Sequence, residues 1–277
     1  MNLCVCVKQV PDTQEIRVDQ ERHTLIRSGV PAVINPFDAW ALEAAVQLKE
    51  TAGGSVTVCS MGPQQAKTML QDTLSVGADA VYLICDPAFG GSDTLATGYI
   101  LSQAIRRIED RNGEPFDLIL CGRQATDGDT AQVGAILAEF LGVPQISCAC
   151  EFQILSQGIC ALQEQDALTV RIAAPLPALV TVSGICTAPR IPTLRMRLAA
   201  KKKEIPVLCA QDLPELDLSR CGLSGSPTRV ISTYVPKRSK HGLIGDAQTV
   251  LPELKKALAQ VKNSCSTAPP VRSVPDD

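Results

Sequence analysis

Two stretches of this 277-residue chain have residue types and spacing suited to anion chemistry. The first is Cys121-Gly122-Arg123-Gln124-Ala125-Thr126-Asp127-Gly128-Asp129-Thr130, which follows an apolar run and opens a helical pattern. Gly122 and Gly128 permit a backbone path that exposes successive N–H groups, and a helix N-terminus adds partial positive charge. Together they suit a phosphate. The plainer reading is helix capping by Asp127, Asp129 or Thr130. The two aspartates tolerate a phosphate only if they bond elsewhere and point away from it. The second stretch is Phe89-Gly90-Gly91-Ser92-Asp93-Thr94-Leu95-Ala96-Thr97. Its glycine pair, with a Ser or Asp cap ahead of a helix, would let a pyrophosphate approach closely. It does not follow G-x-G-x-x-G, and a tight strand-to-helix turn is the alternative.

Other chemistry is thinly represented. His23 and His241 are far apart in sequence, and each is flanked by polar loop residues. No G-x-S-x-G motif or Cys-His arrangement marks a nucleophile, so no catalytic residue is expected. Twelve cysteines raise the question of disulfides or metal. They contain no C-x-x-C pair, and most sit in apolar runs such as Leu3-Cys4-Val5-Cys6-Val7 and Tyr82-Leu83-Ile84-Cys85. They read as small buried hydrophobes in a reducing cytoplasm, with no metal site. Lys201-Lys202-Lys203 reads as a solvated charge run.

The two loops need a scaffold to hold them, and the first half of the chain supplies its pattern. Strand-like runs at Leu3–Val7, Ser55–Ser60, Ala80–Cys85, Asp117–Cys121 and Gln145–Ala149 alternate with helical stretches near 38–52, 63–76, 93–110 and 130–141. Such alternation predicts a parallel sheet covered on both faces, with the strand-to-helix loops along one edge. After residue 150 the pattern changes to Phe152–Leu155, Ile159–Gln163 and Leu168–Ile172, an antiparallel meander, and Leu179–Val182 could return to the main sheet. From 185 onward prolines and basic residues predominate, which suits an extended arm. Leu251–Val261 is patterned as a closing helix. The expectation is an α/β, Rossmann-like parallel-sheet nucleotide-binding domain with helices on both faces, including a small antiparallel meander (1–184). An extended C-terminal partner-binding arm with its helix (185–262) and a disordered tail (263–277) follow.

Composition narrows the function. Charged residues make up 20% and apolar ones 45%, ordinary for a globular core. Aromatic residues are only 3%, too few for a base-stacking surface, and the formal charge of −3 gives no pull toward nucleic acid. No apolar run approaches the ~20 residues a membrane span needs, so no membrane insertion is expected. Residues 1–10, with Lys8 the only charge, read as a buried strand rather than a signal peptide.

Over approximately residues 1–262 the chain resembles the electron transfer flavoprotein beta family. The matching segments are Val7-Lys8-Gln9-Val10-Pro11-Asp12, Asn35-Pro36-Phe37-Asp38, Met61-Gly62-Pro63, Gly77-Ala78-Asp79 and Cys121–Gly134. They continue with Leu176-Pro177-Ala178-Leu179-Val180-Thr181-Val182, Pro192-Thr193-Leu194 and Ala200-Lys201-Lys202-Lys203-Glu204-Ile205. Their order and spacing together carry the resemblance. It implies an alpha-subunit partner and a nucleotide lined by Cys6, Asn35, Pro36, Phe37, Asp38 and Met61, with Gly122–Val133 cradling its phosphate. It also makes Leu194 an anchor for a partner dehydrogenase. Simple carriers of the family hold AMP here. A bifurcating subgroup holds FAD instead and docks NADH beside it. Its members resemble this chain in Asp127-Gly128-Asp129-Thr130-Ala131-Gln132-Val133-Gly134 and in the Gly90–Thr97 segment. That subgroup passes electrons from NADH to ferredoxin or flavodoxin and, through the alpha-subunit FAD, to an acyl-CoA-type dehydrogenase. The alternatives are an AMP-holding carrier and a non-redox adenine-nucleotide-binding regulator. Two departures stand out: Ala135 replaces a common proline, and Ser183-Gly184-Ile185-Cys186 is unusual.

Overall fold

Short β-branched runs alternate with longer patterned stretches in this sequence, and the structure, a computed structural model, turns them into strands and helices respectively. It describes residues 1–12, 18–19, 24–25, 31–156, 158–165, 168–184, 188–231 and 245–265. His23, His241, Ile185, Cys186 and 266–277 of the expected tail lie outside the described residues. In chain order the elements are β1 (Asn2–Cys6), β2 (Gln9–Pro11), β3 (Val18–Asp19), β4 (Thr24–Leu25), β5 (Ala32–Ile34) and α1 (Pro36–Ala52). Next come β6 (Ser55–Met61), α2 (Ala66–Ser75), β7 (Ala80–Ile84), α3 (Thr94–Asn112), β8 (Leu118–Gly122) and α4 (Val133–Leu141). The rest are β9 (Gln145–Leu155), β10 (Gly158–Glu164), β11 (Thr169–Pro175), β12 (Ala178–Val182), α5 (Leu194–Ala200), β13 (Val207–Leu208), α6 (Gly222–Gly225) and α7 (Ala247–Cys265).

Nine strands form one sheet in the order β11-β10-β9-β12-β8-β1-β6-β7-β13. All neighbours from β12 to β13 run parallel. Alternation along β1 explains the two-faced core. Leu3, Val5 and Val7 join residues of α1 and α2 on one face, while Cys4 and Cys6 join residues of α3 and α4 on the other. Being covered on both sides, the strands read as continuous apolar runs. The chain builds outward from β1 through β6 and β7, then α3 carries it back to β8 on the far side of β1. At such a reversal, open α/β sheets collect ligands beyond the carboxyl ends of the strands. Here the crevice lies beyond β1 and β8.

Two details depart from the sequence reading. The stretches 145–149 and 152–155, read as two strands, are one: β9 is a single 11-residue strand that pairs parallel with β12 at its start and antiparallel with β10 further on. Cys148 within it has φ 51° and the register to β12 shifts nearby, the bend that lets one strand serve both partners. The helix expected from 130 begins at Val133, because Asp129 and Ala131 both take φ 54°, outside the right-handed region. The described residues through Ile231 fall in one compact unit, and α7 lies in a second. Residues 188–231 belong to the first unit. There β13 extends the sheet beside β7, Arg190 grips Glu43 and Glu50 of α1 at 2.9 and 2.6 Å, and Asp212 pairs with Arg111 at 2.8 Å. The prolines set short elements apart along that surface. In the second unit, α7 spans the expected closing helix and leaves Leu251, Leu254 and Leu258 exposed along one stripe.

Helices α3 and α4 touch at Gly98, where a Cβ would lie 2.5 Å from Ile136 Cγ2 and 3.5 Å from the Leu137 amide nitrogen. Gly98→Val is expected to cost about 1–3 kcal/mol by overpacking, seen as a lower urea midpoint. Trimming the neighbour with Ile136→Ala should recover part of that loss. Strictly additive single effects would show that the clash lies elsewhere.

Candidate functional site

The crevice beyond β1 and β8 is built by two buried polar residues at the start of α1. Pro36 occupies the first turn, where its missing N–H costs nothing. Asn35 donates its backbone N–H to the Lys8 carbonyl at 2.9 Å. Its side-chain Nδ2 donates to the Gln124 carbonyl at 2.8 Å, and its Oδ1 accepts from the Thr126 N–H at 3.2 Å. Asp38 reaches both strands: Oδ2 accepts from the Lys8 N–H at 2.7 Å and Oδ1 from the Gly122 N–H at 2.9 Å. Asp38 thus joins β1 to β8 and satisfies two part-buried amides that need an acceptor. Gly122 makes this possible, since a Cβ there would overlap Asp38 Oδ1 and lie 2.7 Å from the Phe37 carbonyl carbon.

The 122–134 loop hangs from that staple. Lys8 Nζ lies 2.6 Å from Asp127 Oδ1, and Gln124 Nε2 donates to Asp129 Oδ1. Both aspartates are therefore bonded inside the loop, and neither caps α4, whose N-cap residue Gln132 makes no side-chain cap bond. The first amides of α4 stay available to an anion, and the left-handed Asp129 and Ala131 fold the approach into a concavity. Arg123 lies over the Phe37 ring at 4.7 Å. Its Nε is buried with no hydrogen-bond partner among the described residues, and so is Ser60 Oγ near the end of β6. Buried orphans of this kind are costly unless a ligand satisfies them. Cys6 and Met61 end β1 and β6 beside the same edge. The residues present thus fit an anionic nucleotide. Lys8 is the contributor that motif reading passed over; its signal was a lone charge in an apolar first strand.

The Gly90–Thr97 loop reaches the same edge in a different condition. Gly91 has φ 76°. Asp93 caps α3, its Oδ1 accepting from the Leu95 and Ala96 amides at 3.0 Å each, while its Oδ2 accepts from Thr228 N–H and Oγ1 at 2.9 and 2.7 Å. The Asp93 N–H donates to Ser226 Oγ at 2.8 Å, the Gly222 N–H to Ser92 Oγ at 3.0 Å, and the Leu223 N–H to the Gly90 carbonyl at 3.1 Å. Residues 222–228 therefore cover this loop. Of the amides around this helix start, that of Asp93 is taken and that of Ser92 faces the Phe89 carbonyl at 3.4 Å. A bond from Thr94 Oγ1 to Gln132 Oε1 at 3.0 Å ties the two loops together. Leu194 stands apart from both, 74% exposed at the start of α5.

A family model described as the electron transfer flavoprotein domain matches residues 23–213. Over 246 residues the chain is 47% identical to the electron transfer flavoprotein subunit beta of Megasphaera elsdenii, covering 88% of this chain and 91% of that one. The chain belongs to the electron transfer flavoprotein beta subunit family. It is also 43% identical over 245 residues to the subunit of the same name from Thermoanaerobacterium thermosaccharolyticum, covering 88% and 92% of the two chains. With the caffeyl-CoA reductase–Etf complex subunit CarD of Acetobacterium woodii it shares 40% identity over 252 residues, 90% and 94% of the two chains. An electron transfer flavoprotein beta subunit implies an alpha-subunit partner and a flavin- or AMP-related cofactor in the complex. No helix among the described residues is long and apolar enough to cross a membrane.

Electrostatics at the staple of this beta subunit are unusual. Burial pushes the Asp38 carboxyl up to about 7, against the pull of hydrogen bonds from Asn35 and from the Lys8 and Gly122 amides. Its unfolded value is about 3.9, so the folded chain retains an extra proton between about pH 4 and 7. The stability tied to this group is therefore complete below about pH 4 and declines as pH rises through 7. Carbon-13 NMR of the Asp38 carboxyl should titrate near pH 7. Asp38→Asn should turn an amide N–H₂ toward one of the two backbone donors, costing about 1–3 kcal/mol. It should also flatten the fall in stability between pH 4 and 7. A variant with the wild-type slope would assign that proton to another group.

Proposed function

We propose that the chain binds an adenine nucleotide across the β1/β8 crevice and works as the NADH-oxidising, electron-splitting half of a flavoprotein complex. Gly122–Val133 would surround the phosphates, and Cys6, Asn35–Asp38 and Met61 would face the ribose and adenine. The observation that carries this reading is the state of the 122–134 loop. Its two carboxylates are turned onto Lys8 and Gln124, its helix start carries no side-chain cap, and the buried Nε of Arg123 lacks a partner. Such a loop rewards an incoming phosphate without new rearrangement. FAD bound there would accept hydride from NADH and release electrons singly. NADH would approach at Gly90–Thr97. Electrons would divide between a low-potential acceptor such as ferredoxin or flavodoxin and the alpha-subunit flavin that serves an acyl-CoA-type dehydrogenase. The similarity to a subunit named for a caffeyl-CoA reductase complex supports a CoA-linked partner. Ile191 and Leu194, 86% and 74% exposed, would be the apolar contacts on this side.

One observation favours a second reading, an AMP-holding carrier that does not use NADH: the cover that residues 222–228 place over the Gly90–Thr97 loop. Extraction of nucleotides from the complex co-purified with its alpha subunit separates the readings. Two FAD per complex supports bifurcation, one FAD with AMP supports the carrier, and no flavin overturns both. Rapid mixing adds a second criterion, since a flavin reduced by dithionite but not by NADH would remove the NADH step.

The anchoring role of the loop has a clean test at Gly128, where a Cβ would meet nothing nearer than Lys8 Nζ at 4.0 Å. Gly128→Val should leave stability within about 0.5 kcal/mol, as surface changes do. It should nevertheless release the beta-subunit nucleotide and keep the alpha-subunit flavin. Unchanged nucleotide stoichiometry in the folded variant would move the phosphate elsewhere. For the partner face, Leu194→Ala should slow electron exchange with the dehydrogenase at least tenfold, with the nucleotide content unchanged.

A further inference from the structure

The alternation that sends Cys4 and Cys6 to the α3/α4 face of β1 also sends Cys59 of β6 there, because Cys6 and Cys59 are paired in register. Cys6 Sγ lies 3.6 Å from Cys59 Sγ, and Cys4 Sγ lies 3.9 Å from it. All three sulfurs fall within 4.8 Å of one another, and all three residues are buried. Cys121 of β8 is in register with Cys6 on its other side. We propose that Cys4, Cys6 and Cys59 form a binding site for one thiophilic d10 cation, of the Cu(I) kind, held by three sulfurs of β1 and β6 beneath α3 and α4.

Geometry supports this directly. A metal bonded to sulfur at about 2.3 Å in a trigonal plane needs sulfur–sulfur edges near 4.0 Å. Two edges here are 3.6 and 3.9 Å, so little movement closes the triangle. The sulfurs come from adjacent strands of the central sheet, which are rigid carriers for a preformed site. Soft thiolate ligands select Cu(I) over the hard cations. Among the described residues no histidine or carboxylate joins the cluster, so the ligand set is three sulfurs. Entry has a route, since Cys6 and Cys121 are 8% and 7% exposed at the crevice edge while Cys4 and Cys59 are sealed beneath them. Each thiol that ligates gives up its proton to solvent and the metal keeps its oxidation state, so no oxidant is required. The proposal stands on the sulfur geometry, and its route of entry passes the edge where the proposed nucleotide would lie.

The test uses the full chain co-purified with its alpha subunit, reduced and kept anaerobic. Titration with Cu(I) against a competing chelator should show one tight equivalent that Cys59→Ala weakens more than tenfold and Cys85→Ala leaves unchanged. X-ray absorption at the copper edge should find three sulfur neighbours at about 2.3 Å, as thiolate–metal bonds require. Cys6→Ser, which keeps the shape of the side chain with a smaller, harder atom, should also lose the tight equivalent; circular dichroism checks the fold of both cluster variants. Equal affinity in Cys59→Ala and wild type, or no equivalent tighter than in the cluster variants, would leave these cysteines as packing residues and overturn the site.

Discussion

A single buried carboxyl group holds the functional edge of this protein together. Parallel strands end with amides that their ladder does not satisfy, and at β1 and β8 those amides belong to Lys8 and Gly122. Asp38 accepts from both, so one side chain fixes the separation of the two strands whose ends define the crevice. Burial opposes the charge that makes it a good acceptor, and the result is a carboxyl group that titrates near neutrality. Everything downstream inherits its position from this arrangement. Asn35 ties down the 122–134 loop, Gly122 clears the space that Asp38 and Phe37 occupy, and Lys8, fixed at its backbone, turns its ammonium onto Asp127.

The period of two along β1 performs a second task. One set of residues meets α1 and α2, the other meets α3 and α4, and the second set happens to be sulfur. Cysteine packs as well as alanine or valine in such a layer. In-register pairing with β6 and β8 nevertheless gathers the thiols from three strands that are far apart in sequence. Spacing along the chain carries no trace of that gathering, because it arises across strands. The same holds for the hydrogen bond between Thr94 and Gln132, which joins two loops that the sequence presents as independent.

Local pattern made the α/β alternation, the parallel sheet and the loop edge legible in the sequence, since strand and helix periods are local properties. Features set by long-range balance were not. The helix start at Val133 depends on positive φ at Asp129 and at Ala131, and alanine gives no sign of that conformation. The continuous β9 depends on a bend at Cys148 that lets one strand change partners. Proline richness after 185 suggested an extended arm. It could not reveal that Arg190 binds Glu43 and Glu50, or that β13 finds the free edge of β7. Asp38 was singled out as a nucleotide-lining position. Its bonds to two strand ends were not legible, because only the fold brings the Lys8 and Gly122 amides to the first turn of α1.

The two glycine-bearing loops show why such a motif does not determine function by itself. Both follow parallel strands, both precede helices and both contain acidic residues close to the amides an anion would use. In the 122–134 loop the acids are turned aside by Lys8 and Gln124, and the helix start is left without a cap. In the Gly90–Thr97 loop the acid is the cap, and Ser226 and Thr228 occupy Asp93 from the other side. A phosphate entering the first loop gains amide contacts that nothing else supplies. One entering the second must first displace hydrogen bonds of about 0.5–1.5 kcal/mol each, and more where the carboxylate is the acceptor. Similar sequence therefore yields one helix start without a side-chain cap and one that is capped and covered by residues 222–228. That difference, more than the glycines themselves, sets which helix start has amides to offer an anion.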